Sequence, residues 1–400
     1  MLFDFNFYSA LLLIFFANGI LYGILLLKRG IVNRNSSDTW LSLFVFLCNL
    51  YIAPWMLGFA GWYDNQPYRD ILFYIPFQHL FFLGPVIYFY VQSVLNPNFR
   101  LQRSHCWHLI PGIVYLIYNI IIVVTDKIIL NEYYFLADGS DKDFDDWYQR
   151  TGFISMLIYF TLSLRYYQKY RKLMYHIVSF ADNLVFKWIK IFLVAFLSMQ
   201  LLQILFFILG SLIPSITGHV GSWWYYFCFS IVMYYIAFTG YYNTLITKIP
   251  FEFDALQSNK VFLLPSAHNE STATIEVEAI PIAPIVSDEI IIWKNKIITL
   301  FENEHLFQDP ELTLTEVAIR LHTNATIISK SINQGFQMNF NDFVNQYRVE
   351  EVKKAFKKGD HKKQTLLAIA LNCGFNSKAT FNRAFKKNTG YSPKEYLLLS

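Results

Sequence analysis

The sequence predicts an all-α protein in which a seven-helix transmembrane bundle is followed by a cytoplasmic double helix-turn-helix domain. Hydrophobic residues make up 54% of the 400 residues and charged residues only 16%, whereas about 25% of the residues in a soluble domain are charged. Basic residues concentrate at the C-terminal end, where residues 320–400 contain 14 Lys and Arg but five Asp and Glu. We therefore divide the chain into a transmembrane domain (1–248), a linker (249–288), an amphipathic helix (289–309) and the double helix-turn-helix domain (310–400).

Seven apolar runs before residue 248 are each long enough to be a membrane span. An α-helix needs about 20 residues to cross the ~30 Å hydrocarbon core of a bilayer. The runs are Tyr8–Leu27, Thr39–Ala60, Ile71–Leu95, Trp107–Val124, Gly152–Tyr170, Trp188–Ile213 and Ser222–Leu245. The first run lacks the basic start and the small-residue cleavage site of a signal peptide, so we interpret it as the first span.

The loops between these runs differ strongly in charge. The segments that follow the first, third and fifth runs contain eleven Lys and Arg when the adjoining ends of the fifth and sixth runs are included, whereas those that follow the second, fourth and sixth contain four. The loop after the fourth run is acidic, with five Asp from Asp138 to Asp146. Because basic loops stay in the cytoplasm, the pattern predicts a multi-pass inner-membrane protein with its N-terminus outside and its C-terminal domain in the cytoplasm.

The predicted spans offer few residues suited to catalysis. Acidic side chains are nearly absent from them, and the last run, Ser222–Leu245, has no Lys of the kind that binds retinal. The aromatic run Trp223–Tyr226 fits either an interface belt or the lining of an outward-facing ligand pocket. The cysteines lack the spacing of a metal site: Cys48, Cys106, Cys228 and Cys373. We therefore expect no catalytic residue, no cofactor and no metal.

The segment 249–288 differs in composition from the apolar runs before it. Four prolines punctuate its polar stretches, which is typical of a flexible linker, although Thr274–Ala279 alternates enough to be a short strand. An amphipathic helix is predicted next, over Glu289–Phe307. Its apolar stripe recurs at three- and four-residue steps: Ile290, Trp293, Ile297, Leu300 and Phe301. This stripe either packs on the C-terminal domain or forms a short dimer seam, since its spacing also fits a and d positions.

Two helix-turn-helix patterns follow. In the first, Thr313 begins a capping box at the start of a helix, and Asn324 caps the next helix after a turn. A long helix over Phe340–Lys358 leads to the second pattern, where Gly374 makes the turn and Ser377 is the N-cap. In such units the inner apolar residues fix the angle between the helices, and the outer polar residues reach bases and phosphates.

The second pattern contains a specific set of motifs. They are Gly374-Phe375, Phe381-Asn-Arg-Ala-Phe-Lys-Lys387 and Gly390-Tyr-Ser-Pro393. Together with two units joined by one long helix, they resemble the AraC/XylS family of bacterial transcription regulators over about residues 310–397. Asn339-Phe-Asn-Asp-Phe-Val-Asn-Gln-Tyr-Arg348 is similar to the variant found in Bacteroidetes-type bacteria, which have members with a multi-span membrane half.

The resemblance implies that the second helix of each unit lies in a major groove of DNA. Carried onto this sequence, it assigns DNA contacts to Thr326, Ser329 and Lys330 in the first unit and to Lys378, Thr380 and Arg383 in the second. Two further basic residues, Lys386 and Lys387, are candidates for phosphate contacts. The sequence departs from the family at His322, where a small turn residue is usual, and at Gln337, where glycine is frequent.

These features predict a membrane-bound transcription regulator whose transmembrane half senses a signal and whose cytoplasmic domain binds promoter DNA. The expected partners are double-stranded promoter DNA, the lipid bilayer, RNA polymerase, a second copy of the chain, and a small-molecule or membrane signal that the sequence does not identify. Two alternatives stay open. One is a transporter or membrane enzyme with an autoregulatory DNA-binding tail, and the other is a membrane-stored factor released by proteolysis in the linker.

Overall fold

The protein folds into two compact units. The computed structural model describes residues 3–96, 99–181, 186–213, 218–243, 251–252, 260–263, 275–278 and 288–399. The first unit contains Met1–Tyr167 and Lys187–Ile246, and the second contains Gln168–Phe186 and Thr247–Ser400. The second unit therefore combines the C-terminal part of the chain with a short segment from its middle.

Helices α1 to α8 build the first unit, and the end of α6 continues into the second. They are α1 (Phe7–Val32), α2 (Ser36–Phe59), α3 (Tyr68–Tyr74), α4 (Leu80–Leu95), α5 (Ile110–Val123), α6 (Asp146–Ile177), α7 (Phe186–Leu212) and α8 (His219–Tyr242). Short 3-10 helices lie at Trp62–Asp64, Arg103–Leu109 and Lys142–Phe144, and a π-helix extends α5 over Val124–Ile129.

A helix occupies each of the seven predicted spans, but the helices differ in length and apolarity. In the part of the chain that the structure describes, four are long and apolar enough to cross a membrane: Phe7–Val32, Ser36–Phe59, Arg103–Ile129 and Trp188–Leu212. Helix α4 is apolar but shorter. Helices α6 and α8 have the length of a span, with 32 and 24 residues, but α6 carries several charged residues and α8 is rich in Tyr and Trp.

The third predicted span, Ile71–Leu95, is not one continuous helix, which corrects that prediction. α3 ends at Tyr74 and α4 begins at Leu80. Pro76 explains the break, because a residue that precedes proline avoids the helical region, and Ile75 is extended at φ −98° and ψ 115°. The 16 residues of α4 rise about 24 Å, which is less than the ~30 Å of bilayer hydrocarbon.

Arg29 connects three helix ends at one end of the first unit. Its Nε and Nη2 donate to the Asp38 carboxylate at 2.7 and 2.6 Å, joining the end of α1 to the start of α2. Its Nη1 donates to the carbonyl oxygen of Tyr241 at the end of α8. At the other end of the unit, Trp223 Nε1 in the first turns of α8 donates to the carbonyl oxygen of Tyr8 at 3.0 Å. α1 and α8 therefore run in the same direction.

Most of the aromatic run Trp223–Tyr226 lies inside the bundle. Trp223 is fully buried, Tyr225 and Tyr226 are buried, and only Trp224 is exposed, by 48%. The Tyr226 ring stacks on Trp55 with centroids 4.6 Å apart. The interpretation as an interface belt is thus wrong for three of these four residues, because they pack the interior of the helix bundle.

The predicted acidic loop folds back on the first unit instead of lying free in solvent. Asp143 is buried and accepts hydrogen bonds from the backbone N–H groups of Phe77 (2.6 Å) and Gln78 (2.9 Å) and from the Tyr115 hydroxyl (2.7 Å). Burial raises the pKa of the Asp143 carboxyl, and the three donors oppose that rise. The loop is therefore anchored by its own carboxylate.

The second unit contains helices α9 to α15 and a small sheet. The helices are α9 (Asp288–Glu304), α10 (Leu314–Arg320), α11 (Ala325–Gly335), α12 (Phe340–Lys357), α13 (Leu366–Asn372), α14 (Lys378–Thr389) and α15 (Pro393–Leu399). Short 3-10 helices lie at Leu306–Gln308 and Asp360–Lys362. The long helix predicted over Phe340–Lys358 is confirmed as α12.

Most of the predicted linker, 249–288, lies outside the described residues. Within it the structure describes β1 (Phe251–Glu252), β2 (Lys260–Leu263) and β3 (Ile275–Glu278), which pair antiparallel in the order β1-β2-β3. The strand predicted over Thr274–Ala279 is confirmed as β3. The other two strands add a small sheet to a chain that is otherwise helical over its described residues.

The apolar stripe of α9 packs on the C-terminal domain. Ile297 and Phe301 are fully buried, and they belong to one core with Leu314 and Val317 of α10 and Ile328 of α11. The Ile290 side chain is buried as well and approaches α11 at Gly335. The alternative of a dimer seam is therefore wrong for this stripe, because its side chains are already covered within one chain.

Gly374 occupies a crowded junction between the two helix-turn-helix units. Its φ is +92°, and a Cβ at this position would lie 2.2 Å from the carbonyl oxygen of Phe307 and 3.0 Å from Arg348 Nε. Glycine is required here both because of the left-handed backbone and because another chain segment approaches so closely. Gly390, which ends α14, also has a positive φ of +82° but has nothing within 4 Å of such a Cβ.

We predict that Gly374→Ala destabilises the C-terminal domain by ~3 kcal/mol or more, because it adds a clash with backbone to the strain of a positive φ. Gly390→Ala is the matched control, with only the ~1–2 kcal/mol of left-handed strain. Hydrogen exchange of residues 310–398 in the detergent-solubilised full chain measures both. Equal losses of protection in the two variants would contradict the close approach at Gly374.

Candidate nucleic-acid interface

Side-chain caps fix where the second helix of each unit begins. Asn324 Oδ1 accepts from the backbone N–H of Ile327 at 2.9 Å and caps α11. Ser377 Oγ accepts from the backbone N–H of Thr380 at 3.2 Å and caps α14. Both caps were predicted and are confirmed. Because a cap fixes the first turn, it also fixes which side chains of α11 and α14 face outward.

The two departures from the family pattern coincide with unusual backbone conformations. His322, in the turn before α11, has φ +52°, and Gln337, in the turn after it, has φ +56°. A positive φ favours glycine and small polar residues. Histidine is among the residues enriched in this left-handed region, so the conformation is tolerated at His322, whereas Gln337 has a side chain that does not favour it.

The three predicted contact residues of α11 differ in exposure. Lys330 is exposed, Thr326 is half-buried and Ser329 is buried. Asn333, one turn further along the same face, donates from Nδ2 to Ser329 Oγ at 3.3 Å. Lys330 is therefore the only predicted contact residue of the first helix-turn-helix unit that extends freely from this surface.

The predicted contact residues of α14 divide in the same way. Lys378 and Arg383 are exposed, whereas Thr380 is 1% exposed. The Thr380 hydroxyl lies 3.0 Å from Ser377 Oγ, and the two hydroxyls are hydrogen-bonded. This geometry does not support the assignment of Thr380 to a DNA contact, because its side chain belongs to the N-cap of α14 and to the core of the second helix-turn-helix unit.

Two further basic residues lie in the last turn of α14. Lys386 and Lys387 are both exposed, and Lys387 Nζ forms an ion pair with the Asp342 carboxylate of α12 at 2.7 Å. An exposed ion pair of this kind contributes little stability. Lys387 can therefore exchange Asp342 for a phosphate at small cost.

Arg348 of α12 lies between the two helix-turn-helix units and fixes their relative position. Its guanidinium is fully buried, and it donates from Nε to the Phe307 carbonyl at 2.7 Å and from Nη2 to the Asp309 carbonyl at 2.6 Å. Its Cζ lies 5.9 Å from the ring centroid of Phe375, in the turn of the second unit. Burial lowers the pKa of Arg348 to about 10, so the side chain is still a cation at neutral pH.

The structure adds contacts that the sequence patterns did not indicate. Arg383 Nη1 donates to the hydroxyl of Tyr175 at 3.2 Å, and Asn333 lies near His176, where it opposes the lowering of the His176 pKa by burial. Both partners lie in the last turns of α6, which belong to the second unit. No local pattern predicts these contacts, because the residues are far apart in the sequence.

The family comparison agrees with this arrangement of capped helices. Residues 310–398 match the family model described as a helix-turn-helix domain. Residues 310–398 form an AraC-type helix-turn-helix domain. The resemblance seen in the sequence is thereby confirmed for this part of the chain, and α10 to α15 are the helices of the helix-turn-helix domain.

Several known proteins are similar to this chain over about a quarter of its length. Two uncharacterized HTH-type transcriptional regulators of Staphylococcus aureus, from strains COL and MSSA476, are each 29% identical over 110 residues. The match covers 28% of this chain and 14% of the length of each relative. A solved structure of a protein of unknown function from Listeria innocua is 28% identical and matches 27% of this chain and 96% of its own, with a TM-score of 0.23.

Proposed function

We propose that this protein is a membrane-bound transcription regulator that binds promoter DNA in a sequence-specific manner through α11 and α14. The observation that carries the proposal is the pair of N-capped helices held by one helix, α12, in a helix-turn-helix domain. The 18 residues of α12 span about 27 Å, which is comparable to the ~34 Å turn of DNA that separates successive major-groove faces. This supports simultaneous binding of both helices.

The side chains of the two helices have the chemistry that such binding needs. Arg383 carries a planar guanidinium that can form two hydrogen bonds to a guanine edge. Lys330, Lys378, Lys386 and Lys387 carry point charges suited to phosphates, which provide most of the affinity but little of the specificity. We therefore propose that Arg383 recognises the DNA bases in the second helix-turn-helix unit.

The first unit provides the membrane anchor in this proposal. Four apolar helices support insertion in a bilayer, and the Arg29 contacts, which bring the end of α8 to the same end of the unit as the end of α1, support an odd number of crossings. The basic segments after the first, third and fifth spans support a cytoplasmic location for that end. The chain then leaves the membrane on the side where DNA is.

A small cavity lies within the bundle and is lined by Tyr51, Met156, Gln200 and Tyr225, among other residues. Gln200 is buried, and its Oε1 has no hydrogen-bond partner within the described structure. The cavity has room for about one water molecule, whose O–H can donate to this acceptor.

We expect Arg383→Ala to weaken binding of the full chain to its preferred duplex by ~1–3 kcal/mol, because one specific base contact is lost. Lys386→Ala should weaken binding to every duplex and reduce the salt slope by about one unit. Fluorescence-anisotropy titrations at several salt concentrations measure both effects. Thr380→Val is the matched control, since a buried cap residue should change stability but not sequence preference. A loss of specificity in Thr380→Val but not in Arg383→Ala would contradict the assigned reading face.

We expect a reporter fused after Leu399 to be active only in the cytoplasm and a reporter inserted near Asp141 only outside. The reason is the difference in basic residues between alternate loops. Paired alkaline phosphatase and β-galactosidase fusions measure the location of each site. Cytoplasmic activity of the Asp141 insertion would show that the number of spans before it is wrong.

A further inference from the structure

A short segment from the middle of the chain packs against the helix-turn-helix domain. It comprises the last turns of α6 and the residues that follow, 168–181, and we call it the docking segment. Its Val178 forms an antiparallel bridge with Thr313, and the Ser179 backbone N–H donates to the Leu312 carbonyl at 3.1 Å. Val178 and Ser179 are both fully buried. The docking segment is thus held by backbone hydrogen bonding at the start of α10.

The same segment is bound by α12. Asn341 Nδ2 donates to the Ser179 carbonyl at 2.8 Å. Arg348 donates to the same carbonyl from Nη1 at 3.4 Å and to Ser179 Oγ from Nη2 at 3.1 Å. Asn341 and Arg348 are fully buried. Ser179 therefore supplies acceptors to two buried donors of the DNA-binding domain.

The docking segment also contacts both recognition helices. Arg383 of α14 donates to the Tyr175 hydroxyl at 3.2 Å, and its Cζ lies 5.8 Å from the centroid of the Tyr175 ring. Asn333, on the face of α11 that also carries Lys330, lies near His176 of the docking segment. The residues assigned to DNA reading are thus adjacent to, or in contact with, a piece of the same chain.

We propose that the docking segment is an autoinhibitory ligand of the DNA-binding face, so that DNA and residues 168–181 compete for it; this rests on the proposed function. The major groove is about 12 Å wide and admits one α-helix, and a helix with its side chains is about 10–12 Å across. When Arg383 reaches a base edge, α14 fills the groove. A second helix end, hydrogen-bonded to that same guanidinium, cannot enter with it.

The position of the segment in the sequence gives the competition a regulatory use. The docking segment begins in the last turn of the predicted fifth span, Gly152–Tyr170, and continues from it along the same helix, α6, with no linker between them. A signal that shifts or rotates this span shifts the docking segment and exposes or covers the reading face. Regulation then passes through α6, and the tether at 249–288 only has to keep the domain nearby.

Covalent attachment of the docking segment tests the competition. In the full chain with Cys106→Ser, which removes an exposed thiol, Val178→Cys and Thr313→Cys are combined. Opposed residues of an antiparallel pair have Cα atoms ~4.5–5.5 Å apart, which suits a disulfide. The probe is a labelled duplex enriched from a random library by the reduced full chain. We expect the oxidised double variant to bind this duplex at least tenfold more weakly than its reduced form, and each single-cysteine variant to bind equally in both states.

Equal or tighter binding by the oxidised double variant would overturn the proposal. It would indicate instead that the segment is part of the DNA interface, with its exposed Arg171 and Lys172 meeting phosphates. Absence of any enriched duplex with the reduced chain would contradict the proposed function itself, which separates the two failures.

Tyr175→Ala tests the competition between DNA and the docking segment independently, in case the double-cysteine variant does not fold. We expect Tyr175→Ala to bind the duplex roughly two- to tenfold more tightly than the unmodified chain, because a hydrogen bond that holds the segment is removed. Tyr175→Phe, which keeps the ring over Arg383 but loses the hydroxyl, should give a smaller gain. Unchanged or weaker binding by Tyr175→Ala would overturn the competition.

Discussion

The second unit depends on one buried guanidinium. Arg348 lies in α12, between the two helix-turn-helix units, and donates to carbonyl groups of Phe307, Asp309 and Ser179. A buried cation is costly unless its donors are satisfied, so the carbonyls of Phe307 and Asp309 must stay in place while Arg348 remains buried. The crowding of Gly374 against Phe307 and Arg348 follows from the same requirement. The first helix-turn-helix unit, the turn of the second helix-turn-helix unit and the docking segment therefore meet at one side chain.

This junction explains how the domain can be both rigid and regulated. The two apolar cores on either side of it, one around Ile328 and one around Phe381, fix α11 and α14 on α12. Ser179, by contrast, accepts from two Arg348 donors that each have a second acceptor: Nη1 also donates to Asn345 Oδ1, and Nη2 also donates to the Asp309 carbonyl. Its departure leaves Arg348 with most of its partners, so the domain can stay folded when the docking segment leaves. Binding of DNA and binding of the segment then differ in geometry but draw on the same folded core.

Many features of the second compact unit could be predicted from the sequence, because they depend on residues that are close together in the chain. The other features depend on packing between distant residues. The caps at Thr313, Asn324 and Ser377 and the turn at Gly374 were predictable, because each depends on neighbours within a few residues. The burial of Thr380 was not, since its position at the start of α14 looks like that of an exposed contact residue. The hydrogen bond between Arg383 and Tyr175 joins residues 208 positions apart, and periodicity carries no information over such a distance. In the first unit, composition predicted apolar helices, whereas the break before α4 followed from the single residue Pro76.

We propose that this chain, embedded in a bilayer, reads DNA sequence through α11 and α14 at once. The most direct measurement reconstitutes the full chain in lipid nanodiscs, incubates the discs with a random duplex library, and sequences the captured DNA against empty discs. If α11 and α14 bind together, we expect enrichment of two short half-sites whose centres lie about one helical turn, ~10 base pairs, apart. Enrichment of no sequence over the empty discs, or of a single half-site alone, would contradict it.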